Sequence, residues 1–155
     1  VATFRDVPKV VKDLIEKTLS REKEGGFSRM KIYKNFESNI LKHKKELRNF
    51  IDNIKKSGKT VFGYGDSTKG NVILQFCGFS EKDSPFIAEV NEYKFGRCTP
   101  STKIPIISEQ EAKKMKPDYF LVLPWHFRDN IIRREQEYLK SGGKLIFPLP
   151  KIEVI

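Results

Sequence analysis

Apolar residues fall along the chain in two different rhythms. Up to about residue 59 they recur every three or four positions, and beyond it they gather in short continuous runs. The first rhythm predicts helices. Val7 to Glu24 reads as one, with Pro8 near its start and Gly25-Gly26 just past its end, the usual asymmetry of those residues at helix termini. A longer helix is predicted from about Arg29 to Ser57, stopped by Gly58. Tyr33, Phe36, Ile40, Leu47, Phe50 and Ile54 form an apolar stripe on it, widened by Ile32, Leu41 and Ile51, with Lys and Glu on the other faces. His43 falls on that stripe, where a packed histidine needs no chemical role.

The second rhythm predicts strands separated by helices. Thr60-Val61-Phe62 is a strand followed by a helix from about Thr68 to Phe76. Phe86 to Val90 and Ile104 to Ile107 are strands, the latter leading into a short helix with a Ser108/Glu111 capping box. Tyr119 to Leu123 reads as a strand buried on both faces, and Phe127 to Leu139 as a helix ended by Gly142-Gly143. Lys144 to Pro148 and Ile152 to Ile155 close the chain as strands. Continuous apolar strands in alternation with helices predict an α/β fold with a mostly parallel sheet flanked by helices. The expected organisation is a helical lead-in over residues 1–59 and a Rossmann-like domain over residues 60–155.

Composition narrows this picture. At 155 residues the chain has the size of one domain with an appendage. It is long enough to bury roughly two thirds of its unfolded surface without disulfides or metals. Its longest apolar run, Tyr119 to Trp125, falls far short of the roughly 20 residues that span a bilayer. With no signal-peptide pattern, the expectation is a cytoplasmic protein with no membrane partner. Cys77 and Cys98 match neither a CxxC half-site nor a disulfide framework, so no metal site is expected. The first residue is Val, which suggests a piece of a longer protein.

The net charge of +10 first suggests an anionic partner. Its distribution weakens that reading. Residues 1–59 hold 16 basic and 8 acidic side chains, whereas residues 60–155 hold 14 and 12. A few placed cations, Lys69, Lys94 and Arg97, matter more for a ligand than the total. No RRM, KH or zinc-finger signature is present, so nucleic acid is not an expected partner.

Four segments have the residue types of a binding site. Gly63-Tyr64-Gly65-Asp66-Ser67-Thr68-Lys69-Gly70 lies between the first strand and its helix, where glycines let backbone amides approach a phosphate. It is neither a Walker P-loop nor the dinucleotide fingerprint, and a plain turn with Ser67 or Thr68 as N-cap explains it equally well. Glu89, at the end of the second strand, stands where acidic residues often bind ribose. The loop from Asn91 to Thr102 carries Lys94 and Arg97, suited to a diphosphate, and Tyr93 or Phe95, suited to stacking. Pro124-Trp125-His126 follows the buried strand, and a histidine there suits acid-base work or substrate positioning. The bland alternatives are a solvated strand end, a surface loop and a helix start.

GYGDSTKGNVILQFCG, IAEVNEYKFGRCTPSTKIPII, KPDYFLVLPWHF and GGKLIFPLP, in this order and spacing, resemble the C-terminal domain of the sugar C-methyltransferases. The resemblance covers essentially the whole chain and is weakest over residues 1–28. It implies a larger enzyme with a zinc-binding N-terminal domain and a middle domain that binds S-adenosylmethionine, both missing here. The present chain would then help bind a nucleotide-diphosphate sugar, with no cofactor of its own and no activity alone. The parent would methylate carbon 3 of a 4-keto deoxysugar. Position by position, the resemblance implies Gly63, Tyr64, Gly65, Lys69 and Gly70 as a substrate wall, with Asn91, Lys94, Gly96, Arg97 and Trp125 beside it. His126 is the candidate catalytic or positioning group. Asp66 stands where the family commonly has Ala, and Glu92 replaces the Pro after Asn91. Two rival readings stay open: a self-contained S-adenosylmethionine methyltransferase, and a non-catalytic nucleotide- or nucleic-acid-binding module.

Overall fold

The computed structural model describes residues 8–155. The chain forms two compact units, the first ending at Lys42 and the second running from His43 to Ile155, so the division falls inside a helix.

In the first unit α1 spans Lys9–Glu24. Pro8 is its N-cap, with the extended ψ of 146° that lets the ring precede the first turn. Val7, the expected start, lies outside the described residues. Helix α2 spans Met30–Lys56 and crosses the division between the units. Its apolar stripe has two fates: Tyr33, Phe36, Ile40 and Leu41 are exposed, while Leu47, Ile51 and Ile54 are buried. The stripe predicted from spacing is therefore a core face only from Leu47 onward.

The second unit is built on a six-stranded sheet in the order β3-β2-β1-β4-β5-β6. The strands are β1 (Val61–Tyr64), β2 (Ile87–Glu89), β3 (Ile106–Ser108), β4 (Tyr119–Val122), β5 (Lys144–Phe147) and β6 (Glu153–Val154). All neighbours pair in parallel except β5 and β6. Between them run α3 (Thr68–Cys77), α4 (Glu109–Lys114), α5 (Arg128–Arg134) and α6 (Gln136–Lys140). This is the expected α/β architecture with a Rossmann-type strand order.

The central strands are apolar, β1 and β4 at every position and β5 after Lys144, yet their residues serve two layers in alternation. Val61, Leu121 and Ile146 join Leu47, Ile51 and Leu74 in one core cluster. Phe62, Tyr64, Phe120, Val122 and Leu145 join Ala112, Ile131 and Tyr138 in the other. The second half of α2 is further tied down by charge. Asp83, only 5% exposed, lies 2.6 Å from Arg48 Nη2 and 2.8 Å from Lys55 Nζ.

Three elements differ by more than a residue from the sequence expectation. The first strand runs on to Tyr64, so Gly63 and Tyr64, expected in the glycine loop, belong to β1. The helix expected over Phe127 to Leu139 is a 3-10 turn at Trp125–Phe127 followed by α5 and α6, with the break at Glu135. Glu135 has φ −94° and ψ 21°, and its carboxylate is buried with partners on other elements. The strand expected from Ile104 starts instead at Ile106. Pro105 has no amide proton, and the Ile104 amide donates to Thr99 Oγ1 rather than to a neighbouring strand.

Candidate binding site at the carboxyl edge of the sheet

The strand order reverses direction between β1 and β4, and ligands of open α/β sheets bind at such a point, outside the carboxyl ends of the strands. A cavity of about 420 Å³ lies there. Its floor and walls come from the ends of β1 and β2 and the loops that follow them, from Pro124 beyond β4, from Phe127, from the start of α4 and from α5.

The glycine loop shapes this edge through packing. Gly65 has φ +75°, and a Cβ there would stand 2.8 Å from Pro124 Cγ, so the loops after β1 and β4 approach backbone to ring. A Cβ on Gly70 would meet Leu123 Cβ at 2.4 Å, which makes this glycine the point where α3 rests on the end of β4. Ser67 is the N-cap of α3, and its hydroxyl accepts from the Gly70 amide at 3.0 Å.

One side of the cavity is a knot of three charges. Glu89 Oε1 accepts from the amides of Val90 (2.8 Å) and Asn91 (3.1 Å), and Oε2 accepts from the amide of Asp66 (2.9 Å). Burial pushes its pKa up, but these amides and Lys94 more than offset that, so the carboxyl titrates below its ordinary range. Lys94 Nζ donates to the Asp66 carbonyl at 2.5 Å and lies 3.3 Å from Glu89 Oε2 and 3.4 Å from Asp66 Oδ2. Burial works against this ammonium as well, and the two carboxylates overcome it and raise its pKa. Asn71 Nδ2 donates to Asp66 Oδ1 at 2.7 Å and fixes the aspartate from the other side.

A second network also borders the cavity. The Tyr64 hydroxyl donates to Glu135 Oε1 at 2.5 Å, has Glu109 Oε2 at 3.1 Å, and accepts from Arg134 Nη2. Arg134 also reaches Glu109 Oε2 at 2.8 Å, and Lys113 Nζ lies 2.6 Å from Glu135 Oε2. Glu135 is 1% exposed. Burial alone would raise its pKa; Lys113, Tyr64 and Arg134 outweigh that and hold it ionised. Burial and the neighbouring Glu135 keep the Tyr64 phenol well above its ordinary range, so it stays a donor.

The structure brings some of the residues singled out in the sequence together and leaves others apart. Tyr64, Gly65, Asn91 and Lys94 line the cavity. Gly63 and Gly70 are packed behind it, Gly63 because a Cβ would come within 2.2 Å of Ile87 Cδ1. Lys69 and Arg97 are exposed and lie outside the lining. Trp125 packs against both core clusters, and His126 is exposed, stacked on Phe127 with ring centroids 4.2 Å apart. Part of the Asn91 to Thr102 loop has a structural task. The Gly96 amide and the Arg97 carbonyl both hydrogen-bond to Ile106 along the outer side of β3. Glu109, Phe127, Asn130, Ile131 and Arg134 line the cavity without having been picked out. The only signal for Glu109 was its place just after the Ser108 cap, and a mid-helix Arg134-Glu135 pair reads as a solvated face.

Among the described residues no group of three or more His, Cys, Asp or Glu side chains could hold a metal ion. Nor is any of their helices long and apolar enough to cross a membrane.

Residues 2–150 match the family model described as the C-methyltransferase C-terminal domain. The chain is 32% identical over 145 residues to the C-methyltransferase NovU of Streptomyces niveus. That alignment covers 94% of this chain and 34% of NovU, so the chain spans about a third of the length of that relative. The chain belongs to the C-methyltransferase C-terminal domain family.

Proposed function

We propose that this domain binds the acceptor substrate of an S-adenosylmethionine-dependent C-methyltransferase, and that the acceptor is a nucleotide-diphosphate 4-keto deoxysugar. The observation that carries the reading is the cavity at the strand-order reversal. It combines polar groups held in fixed positions with an apolar wall of Pro124, Phe127 and Ile131.

Glu89 argues against S-adenosylmethionine held here through the usual acidic ribose contact. A ribose-binding acidic residue needs free carboxylate oxygens, and both oxygens of Glu89 are occupied by backbone amides of its own chain. In this reading the methyl donor belongs to a separate domain of the same polypeptide, beyond a further zinc-binding domain, and this chain alone is inactive. Methylation at carbon 3 needs a base to remove the proton beside the carbonyl and a donor to hold the resulting enolate oxygen. Both are assigned to the separate domain. His126, exposed and outside the cavity lining, is left a substrate-positioning role at most. The working compartment is the cytoplasm.

Calorimetry of the chain with S-adenosylmethionine, a dTDP-hexose and an oligonucleotide tests the proposal. Heat from the sugar nucleotide alone is expected. Binding of S-adenosylmethionine by this chain would overturn it, and a steeply salt-dependent oligonucleotide affinity would point to a nucleic-acid module instead.

A further inference from the structure

The charges around the cavity limit which part of such a ligand it accepts. Asp66, Glu89 and Glu109 line it against Lys94 and Arg134, three carboxylates to two cations. Neither cation is uncommitted. Lys94 is held by Asp66 and Glu89, and Arg134 by Glu109, Glu135 and the Tyr64 hydroxyl. The start of α3, the usual anchor for a phosphate, is immediately preceded by the Asp66 carboxylate. An incoming diphosphate therefore meets net negative charge and no free cation. What the cavity offers is an acceptor. The Asp66 side chain, 13% exposed, is fixed by Asn71 on one oxygen and Lys94 on the other, each oxygen retaining lone-pair capacity. Phe127, 54% exposed and with its ring centroid 4.2 Å from that of His126, lines the cavity as an apolar surface.

We infer that the cavity takes a neutral hydroxyl-bearing ring, a furanose or a pyranose, with Asp66 as the specificity-determining acceptor of its hydroxyls and the diphosphate kept outside. This rests on the sugar-nucleotide reading above and sharpens it. Such a ring has hydroxyl protons for Asp66 and C–H faces for Phe127, and it needs no counter-ion.

The test is titration of the chain, followed by calorimetry and by backbone amide NMR shifts. The probes are thymidine, methyl α-glucopyranoside, inorganic pyrophosphate and an intact dTDP-hexose, and Asp66→Asn is titrated alongside the wild type. Thymidine or the glucoside should shift the amides of Gly65, Ser67 and Phe127, and whichever binds identifies the source of the ring. Pyrophosphate should leave those amides unmoved. Asp66→Asn preserves the shape and the Asn71 contact, and should weaken the bound ring about tenfold. Three results overturn the inference while leaving the functional reading intact: binding of the dTDP-hexose with neither neutral ring bound, pyrophosphate bound in the cavity, or ring affinity unchanged in Asp66→Asn. Silence from every probe, the dTDP-hexose included, overturns both.

Discussion

Asp83 shows how much one buried carboxylate can hold in place. Burial alone would raise its pKa, but Arg48, Lys55 and the Ser80 amide bring it down to about 2 from an ordinary 3.8. A depressed carboxyl stabilises the fold while it stays ionised in the native state. Its contribution is therefore complete above about pH 4 and is lost as the pH falls towards 2. Asp83→Asn should cost about 2 kcal/mol in urea unfolding at pH 7, and the gap to wild type should close near pH 2. Tyr64→Phe removes a hydroxyl from between Glu135 and Arg134 and should cost about 1–2 kcal/mol by the same measurement, because a buried carboxylate loses a donor. None of these pairings was legible in the sequence. Asp83 and Arg48, Lys94 and Asp66, or Glu135 and Lys113 lie 35, 28 and 22 positions apart, and each residue by itself reads as surface charge.

Elements were more legible than pairings, for a physical reason. A strand segment buried on both faces must be apolar at every position, and β1, β4 and the part of β5 after Lys144 carry that signature. Helix starts are written in local chemistry, and the capping box at Ser108 forms as spacing predicts, with Glu111 Oε2 2.7 Å from the Ser108 hydroxyl. Ser108→Ala should cost about 1 kcal/mol, measurable by thermal melting. Periodicity reports that a face is apolar and does not report what covers it. In α2, Leu47→Ala should cost about 2–5 kcal/mol, while Phe36→Ala should stay within about 0.5 kcal/mol in chemical denaturation of this chain. The glycine loop carries a similar lesson. Its spacing suggested phosphate chemistry, yet Gly63 and Gly70 answer to the side chains of Ile87 and Leu123. Gly70→Ala should destabilise by about 1–3 kcal/mol through overpacking against Leu123.

On the scale of the whole molecule, the sheet and both of its core layers lie within His43–Ile155. A chain of residues 43–155 should therefore keep a single cooperative thermal transition, followed by circular dichroism, and loss of that transition would show that the preceding residues are needed for folding. The margins of the sheet have a consequence of their own. At one margin β6 is two residues long and runs against its neighbour. At the other, the stretch from Gly96 to Cys98 lies along β3, through the bonds to Ile106 and the bridge between Cys98 and Pro105. Open strand margins invite other chains to add on, and short or covered ones discourage it. With one margin short and the other covered, the sheet gives an added strand little to pair with, and the cavity at the strand ends is where it meets a small molecule.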